Sequence, residues 1–228
     1  MHRDTLVAQK ILVAFLLTMV GIEIRAQELS EDTGQPSVNV YAEIWADNWF
    51  ALYMDGEMIS EDSEPITQER SFNVEEVEFK ALPGAQFAAV LKDYKEDDSG
   101  LEYIGSRRQQ AGDGGFIAQF YDAETSQLVG VSNAGWLCTP IHQAPLDLSC
   151  QTSDNPLNEC ASTIVSEPQG WMLRDFDDSY WKPAVVHSSQ AVRPNGEYRQ
   201  YSWEASADLI WTDDLEIDNT VLCRFTLD

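Results

Sequence analysis

Hydrophobic and polar residues alternate along Val38–Asp47, with Val40, Ala42, Ile44 and Ala46 on one side and Tyr41, Glu43, Trp45 and Asp47 on the other. A period of two marks a strand with one buried face. Phe50, Leu52 and Met54 carry the pattern on, and Asp55-Gly56 is a strong signal for a two-residue hairpin turn. Phe72, Val74, Val77, Phe79 and Leu82 predict another long strand, ended by Pro83-Gly84. The run Ala85-Gln86-Phe87-Ala88-Ala89-Val90-Leu91 is apolar enough for burial on both sides. Residues 116–121 and 128–131 predict a second hairpin around Asp122-Ala123-Glu124-Thr125, and Trp136 and Cys138 share a face of the next strand. Ala184-Val185-Val186, Leu209-Ile210-Trp211 and residues 221–227 supply the closing strands.

Two intervals break this rhythm. Residues 92–115 are charged and contain glycine, which predicts a long surface excursion; loops beyond about 12–15 residues are uncommon and often functional. Residues 139–167 read as irregular and hold two cysteines. No repeat, low-complexity tract or linker divides residues 38–228, so a single domain is expected there, after a polar lead-in over residues 27–37.

Composition supports the strand reading. The chain has 228 residues, 43% of them hydrophobic and 11% aromatic, with seven tryptophans. That is enough to bury a sizeable core, and aromatic side chains suit half-buried pleated surfaces. The formal charge of −25 disfavours nucleic acid and anionic membranes, both of which would bring phosphate against carboxylate. It favours solubility or divalent cations, and its plain reading is a solvated acidic surface.

The first residues read as an export signal. Arg3 and Lys10 precede an apolar run over residues 11–22, and Ala26 offers a small residue for cleavage, so residues 1–26 are expected to be a signal peptide. The run is shorter than the roughly 20 apolar residues of a comfortable membrane span, though an uncleaved anchor stays open. Cysteine usage agrees with a secreted or extracytoplasmic protein, soluble once the signal is removed. Cys138, Cys150, Cys160 and Cys223 all lie in the second half, and an even count in an exported chain points to disulfides. Of three pairings, the favoured one joins Cys150 to Cys160 around a polar stretch and Cys138 to Cys223 between two strands. No CxxC spacing supports zinc instead.

Several segments resemble a known architecture. Residues 46–56, Ala-Asp-Asn-Trp-Phe-Ala-Leu-Tyr-Met-Asp-Gly, resemble a hairpin of galactose-binding-like jelly rolls and protective-antigen-type lectin modules. Residues 116–136 resemble the later strand pair of such modules. Gly170-Trp171 followed by Phe176-Asp177-Asp178-Ser179-Tyr180-Trp181 resembles a segment of the accessory, carbohydrate-binding sandwich domains of glycoside hydrolases. Ala207-Asp208-Leu209-Ile210-Trp211, with Asn219 and Arg224-Phe225, resembles their ending. The chain is also similar to a group of exported proteins of marine microbes. The resemblance implies an all-β, antiparallel jelly-roll sandwich that binds through its loops and is not itself an enzyme. The interval after Leu91 and the cysteine-bearing interval 139–167 depart from the pattern, so the resemblance implies no particular specificity.

Candidate chemistry divides among a few groups. Asp177, Asp178 and Ser179 read as a turn whose side chains bond backbone amides, with Trp171 and Trp181 packed around it. His142 reads as a hydrogen-bonded structural residue, and no GxSxG elbow accompanies either it or His187. Coincidental carboxylate pairs are expected in so acidic a chain, which leaves a glycoside hydrolase as a third-ranked reading. For calcium, Asp214, Glu216 and Asp218 alternate and would point to one side of an extended segment; the competing reading is a solvated acidic edge that discourages strand pairing. Further oxygen-rich turns are Asp97-Asp98-Ser99-Gly100 and Asp113-Gly114. For a glycan, residues 92–115 offer Tyr94, Tyr103, Arg107, Arg108 and Asp113, where the adjacent arginines could hold an acidic sugar or sulfate or else compensate neighbouring acids. Trp45 and Trp49 are open between core packing and an exposed platform. The expectation is a secreted, non-catalytic module that binds glycan or another extracellular polymer; the alternative is a structural or interaction protein of the cell envelope.

Overall fold

The computed structural model describes residues 37–66 and 72–227, which lie within one compact unit, Gln35–Asp228. The export-signal expectation for residues 1–26, and the lead-in apart from Ser37, fall outside the described residues. In chain order the strands are β1 (Val38–Asp47), β2 (Trp49–Met54), β3 (Glu57–Glu61), β4 (Val74–Ala81), β5 (Gln86–Lys92), β6 (Leu101–Glu102), β7 (Gln110–Ala111) and β8 (Gly115–Asp122). The second half adds β9 (Leu128–Val131), β10 (Leu137–Gln143), β11 (Thr163–Ile164), β12 (Lys182–Pro183), β13 (Val185–His187), β14 (Leu209–Trp211) and β15 (Asp218–Thr226).

The protein is an all-β sandwich of two antiparallel sheets. One runs β13-β14-β8-β1-β4 with β9 also on β8; the other runs β11-β10-β15-β5-β2-β3 with β12 also on β10. The small hairpin β6-β7 stands apart. The alternation in β1 places Val40, Ala42, Ile44 and Ala46 in the core between the sheets, against Phe87, Leu91, Phe116 and Phe120. Phe225 lies at the centre of that core. Its ring stacks on Trp136 at 3.6 Å and on Phe87 at 5.2 Å, and such pairs each add about 0.5–1.5 kcal/mol beyond the area they bury.

Each sheet is also covered on its outer face, which explains strands that are apolar on both sides. In β5, Phe87, Ala89 and Leu91 face the main core. Ala88 and Val90 face a second cluster with Trp171 and Trp181 of the 170–184 segment. Trp45, on the outward phase of β1, is buried beneath Tyr198, with ring centroids 5.3 Å apart. Trp49 is half-buried, with the Lys92 ammonium 4.6 Å over its ring.

Three local expectations need correction. Residues 92–115 are not a surface excursion: Asp93, Leu101, Glu102 and Ala111 are buried, and the β6-β7 hairpin packs on Cys150 and Cys160. Residues 139–143 are not irregular but belong to β10, whose pairing with β15 shifts register after Pro140, the residue that cannot donate to the ladder. Asp214 and Glu216 lie in a turn that ends where Asp218 begins β15, so the three do not share one extended stretch. Asp214 Oδ1 accepts the backbone amides of Glu216 and Ile217, each at 3.0 Å, and that local bonding curls the chain.

Cys138 is bonded to Cys223 and Cys150 to Cys160. The first bridge links directly paired residues of β10 and β15, with Cα atoms 4.2 Å apart. Two disulfides fit an oxidising compartment. Among the described residues no helix is long and apolar enough to cross a membrane.

Candidate functional site

Two features carry chemistry, and both are positioned by buried polar bonds. The first begins with Arg224 on β15, whose guanidinium emerges on the outer face of its sheet yet is almost fully buried. Nε donates to Asp178 Oδ2 at 2.6 Å, and Nη1 donates to the carbonyl oxygens of Trp171 and of Leu173, the latter at 2.9 Å. Asp177 Oδ1 takes the Ser179 amide at 3.1 Å, and the Trp181 amide donates to the Asp178 carbonyl at 2.8 Å. These bonds hold a tight turn with Asp178 and Trp181 directed inward, and Tyr180 between them is directed outward. Its ring is braced edge-on by Phe176 and Trp181 at 6.4 and 6.5 Å.

Tyr180 is 64% exposed, and every other aromatic side chain among the described residues is buried or half-buried. It borders a hollow of about 550 Å3 that Thr139, Pro140, Gln143, Lys182 and Asp213 also line. That volume lies within the roughly 300–1,000 Å3 typical of small-molecule sites. An aromatic face beside amide, ammonium and carboxylate groups offers an apolar surface together with directional hydrogen bonds.

The second feature is a carboxylate cluster at one end of the sandwich. Asp47 ends β1, opposite Gly115 at the start of β8. Asp93 follows β5, its amide bonded to the Asn219 carbonyl at 2.9 Å. Asn48 fixes this junction: its amide donates to the Lys92 carbonyl at 2.8 Å, and its Oδ1 accepts the Tyr94 amide at 2.7 Å. Asp113 sits in Gly112-Asp113-Gly114-Gly115. A Cβ at Gly112 would lie 1.5 Å from Asp93 Oδ2, and one at Gly114 would lie 2.5 Å from the Trp211 indole, so only glycine lets this strand entry pass so close.

One oxygen from each of Asp47, Asp93 and Asp113 lies within 4.8 Å of the others. Asp47 and Asp93 are buried, and Asp113 is half-buried, with Arg193 donating to its Oδ2 at 3.1 Å. Burial above all, and then the charges of Asp47, Glu102 and Asp113, hold the Asp93 carboxyl well above the usual carboxylate range. The nearby Tyr94 amide, which donates to Asn48 Oδ1, is the smallest influence and acts the other way. A cleft of about 190 Å3, lined by Asp47, Phe72, Gln110, Asp113, Arg193 and Asn195, opens onto the cluster.

The residues singled out from sequence are dispersed. Tyr94 is buried and, with Lys95, Asp98 and His142, lines a different hollow of about 380 Å3. Tyr103 is half-buried, and the Arg108 guanidinium stacks 4.0 Å over its ring; Arg107 is exposed. Asp113 alone of that group joins the carboxylate cluster. Asp214 caps its own turn, Glu216 is exposed, and Asp218 is buried at the start of β15. Asp218 accepts from Gln143 at 2.6 Å and from Thr212, while burial raises its pKa. His142 is buried, its Nδ1 2.8 Å from Asn219 Oδ1.

Sequence reasoning missed Tyr180 as a surface and Asp47 and Asp93 as a pair. The signals were an acid closing each of two apolar strands, and a Gly-Asp-Gly-Gly run too small-sided for ordinary packing. Comparison with known protein families, with curated proteins and with solved structures finds no match for this chain.

Proposed function

We propose that this chain is an exported, non-catalytic glycan-binding module, a galactose-binding-like sandwich that takes a sugar residue against Tyr180. One observation carries the reading: the exposed tyrosine ring at the mouth of a 550 Å3 hollow with Gln143, Lys182 and Asp213 in its walls. Sugars present flat C–H faces that pack on an aromatic ring, while their hydroxyls need planar polar partners. Tyrosine is also among the residues that most often dominate binding energy. The two disulfides agree with work outside the reducing cytoplasm.

The test is a glycan array with and without calcium, followed by calorimetry on Tyr180→Ala. The variant is expected to lose at least about tenfold in affinity, or about 1.4 kcal/mol, with its melting temperature unchanged because the ring is exposed. Absence of glycan binding in both arrays, or undiminished binding by Tyr180→Ala, overturns the proposal.

A further inference from the structure

We propose that Asp47, Asp93 and Asp113, with Glu102 beside them, bind one calcium ion at the end of the sandwich. The geometry fits a single ion. Calcium holds carboxylate oxygens at about 2.3–2.6 Å, so two oxygens on one ion stand at most about 4.6–5.2 Å apart. The three carboxylates already meet within 4.8 Å.

Burial supplies the independent reason. Asp93 is 2% exposed, and neither of its carboxylate oxygens has a hydrogen-bond partner among the described residues. A carboxylate removed from water without a partner is strongly unfavourable, and such groups in folded proteins are paired or coordinate metals. The surrounding chain is built to keep it there. Gly112 leaves room for its oxygen, the amide of Asp93 is bonded to Asn219, and Asn48 secures the next amide. The charges of Asp47, Glu102 and Asp113 all act on Asp93, and Arg193 pairs with Asp113 from the rim. The 190 Å3 cleft gives an ion access to Asp47 and Asp113. Calcium takes 6–8 oxygens, so water completes the shell on the cleft side.

This inference stands apart from the glycan reading, because its test contains no sugar. The full chain is stripped with EDTA and titrated with calcium chloride in a calorimeter, and melting is followed in parallel. One ion per chain is expected, with a rise of roughly 5–10 °C in melting temperature at calcium a hundred times its Kd. Asp93→Asn keeps the shape and removes a buried charge. It is expected to melt higher than wild type in EDTA and to lose the calcium-dependent rise. Asp113→Asn is expected to weaken calcium at least tenfold, and Asp154→Asn, on an exposed turn, to leave the titration unchanged. No calcium heat and no shift in the wild type overturns the proposal. So does a full shift in Asp93→Asn, or an equal response to magnesium.

Discussion

Removing Arg224 isolates the contribution of one side chain to the 170–184 segment. The residue makes a 2.6 Å bond to Asp178, a 2.9 Å bond to the Leu173 carbonyl and a further bond to the Trp171 carbonyl, with its side chain 2% exposed. Hydrogen bonds to charged groups contribute about 1.5–3 kcal/mol each, and truncating one member of a buried ion pair typically costs about 3–5 kcal/mol. Asp178 is 27% exposed and can regain water, which places Arg224→Met toward the lower end, at about 3 kcal/mol. For a domain of this size that is roughly 6–12 °C in melting temperature. Urea unfolding followed by tryptophan fluorescence gives the loss directly, provided the m value is unchanged. Asp178→Asn retains the two carbonyl bonds and should cost only about 1–2 kcal/mol, and the double variant should show coupling of about 0.5–3 kcal/mol. A loss below about 1 kcal/mol in Arg224→Met, or strict additivity in the double variant, would show that the segment is held by Trp171 and Trp181 packing and not by the clasp.

The disulfides should differ in weight. Loop-closure entropy gives about 4.6 kcal/mol for the Cys138–Cys223 separation of 85 and about 2.7 kcal/mol for the Cys150–Cys160 separation of 10. Paired Cys→Ala variants in urea should therefore rank in that order, and equal losses would refute the ranking. His142 should make stability fall with acid. Burial first, and Lys95 next, hold its pKa below the usual histidine range, against opposing contributions from Asn219 and Asp98. The unfolded chain then binds the proton more readily, so stability is full above about pH 6.5 and is lost as pH falls toward the lower folded pKa. His142→Gln should flatten that part of a melting-temperature profile between about pH 7 and 5; an unchanged slope would assign the acid sensitivity elsewhere.

Much of the sandwich was legible because its signals are local. The period of two in β1, the Asp55-Gly56 turn and the double-sided apolar run of β5 each depend on a few adjacent residues, and each element is present. Asp55 and Gly56 both take positive φ, as a two-residue hairpin turn with matching twist requires. β10 was hidden because Pro140 interrupts it and the polar His142 and Gln143 break its apolar pattern. Their conformation is imposed from outside by pairing with β15 and by the Cys138–Cys223 bridge. Asp214, Glu216 and Asp218 show the opposite failure: their spacing suits a strand, yet one Asx turn at Asp214 outweighs it. The carboxylate cluster was illegible in principle from spacing, since Asp47, Asp93 and Asp113 meet only through the β1–β8 register and the β5 exit.

Asp47-Asn48 and Asp177-Asp178 look alike in sequence, each a short polar pair beside aromatics in a segment with the same family resemblance. What separates them is the set of groups each is seen to meet where the chain folds. Asp178 meets Arg224, and its charge is used to shape a turn that presents Tyr180. Asp47 meets further carboxylates, and among them Asp93 is buried with its oxygens unsatisfied by the described residues. In a chain with 14 basic and 39 acidic residues, most carboxylates can remain in water, where screening makes them inexpensive. A buried carboxylate such as Asp93, with neither oxygen bonded by the described residues, is balanced in one of two ways. The protein can protonate one, at the expense of keeping an unpaired polar group inside, or accept a cation from solution. The outward-facing Asp177 and the inward-facing Asp93 therefore mark the division between scaffold and site more clearly than either motif does.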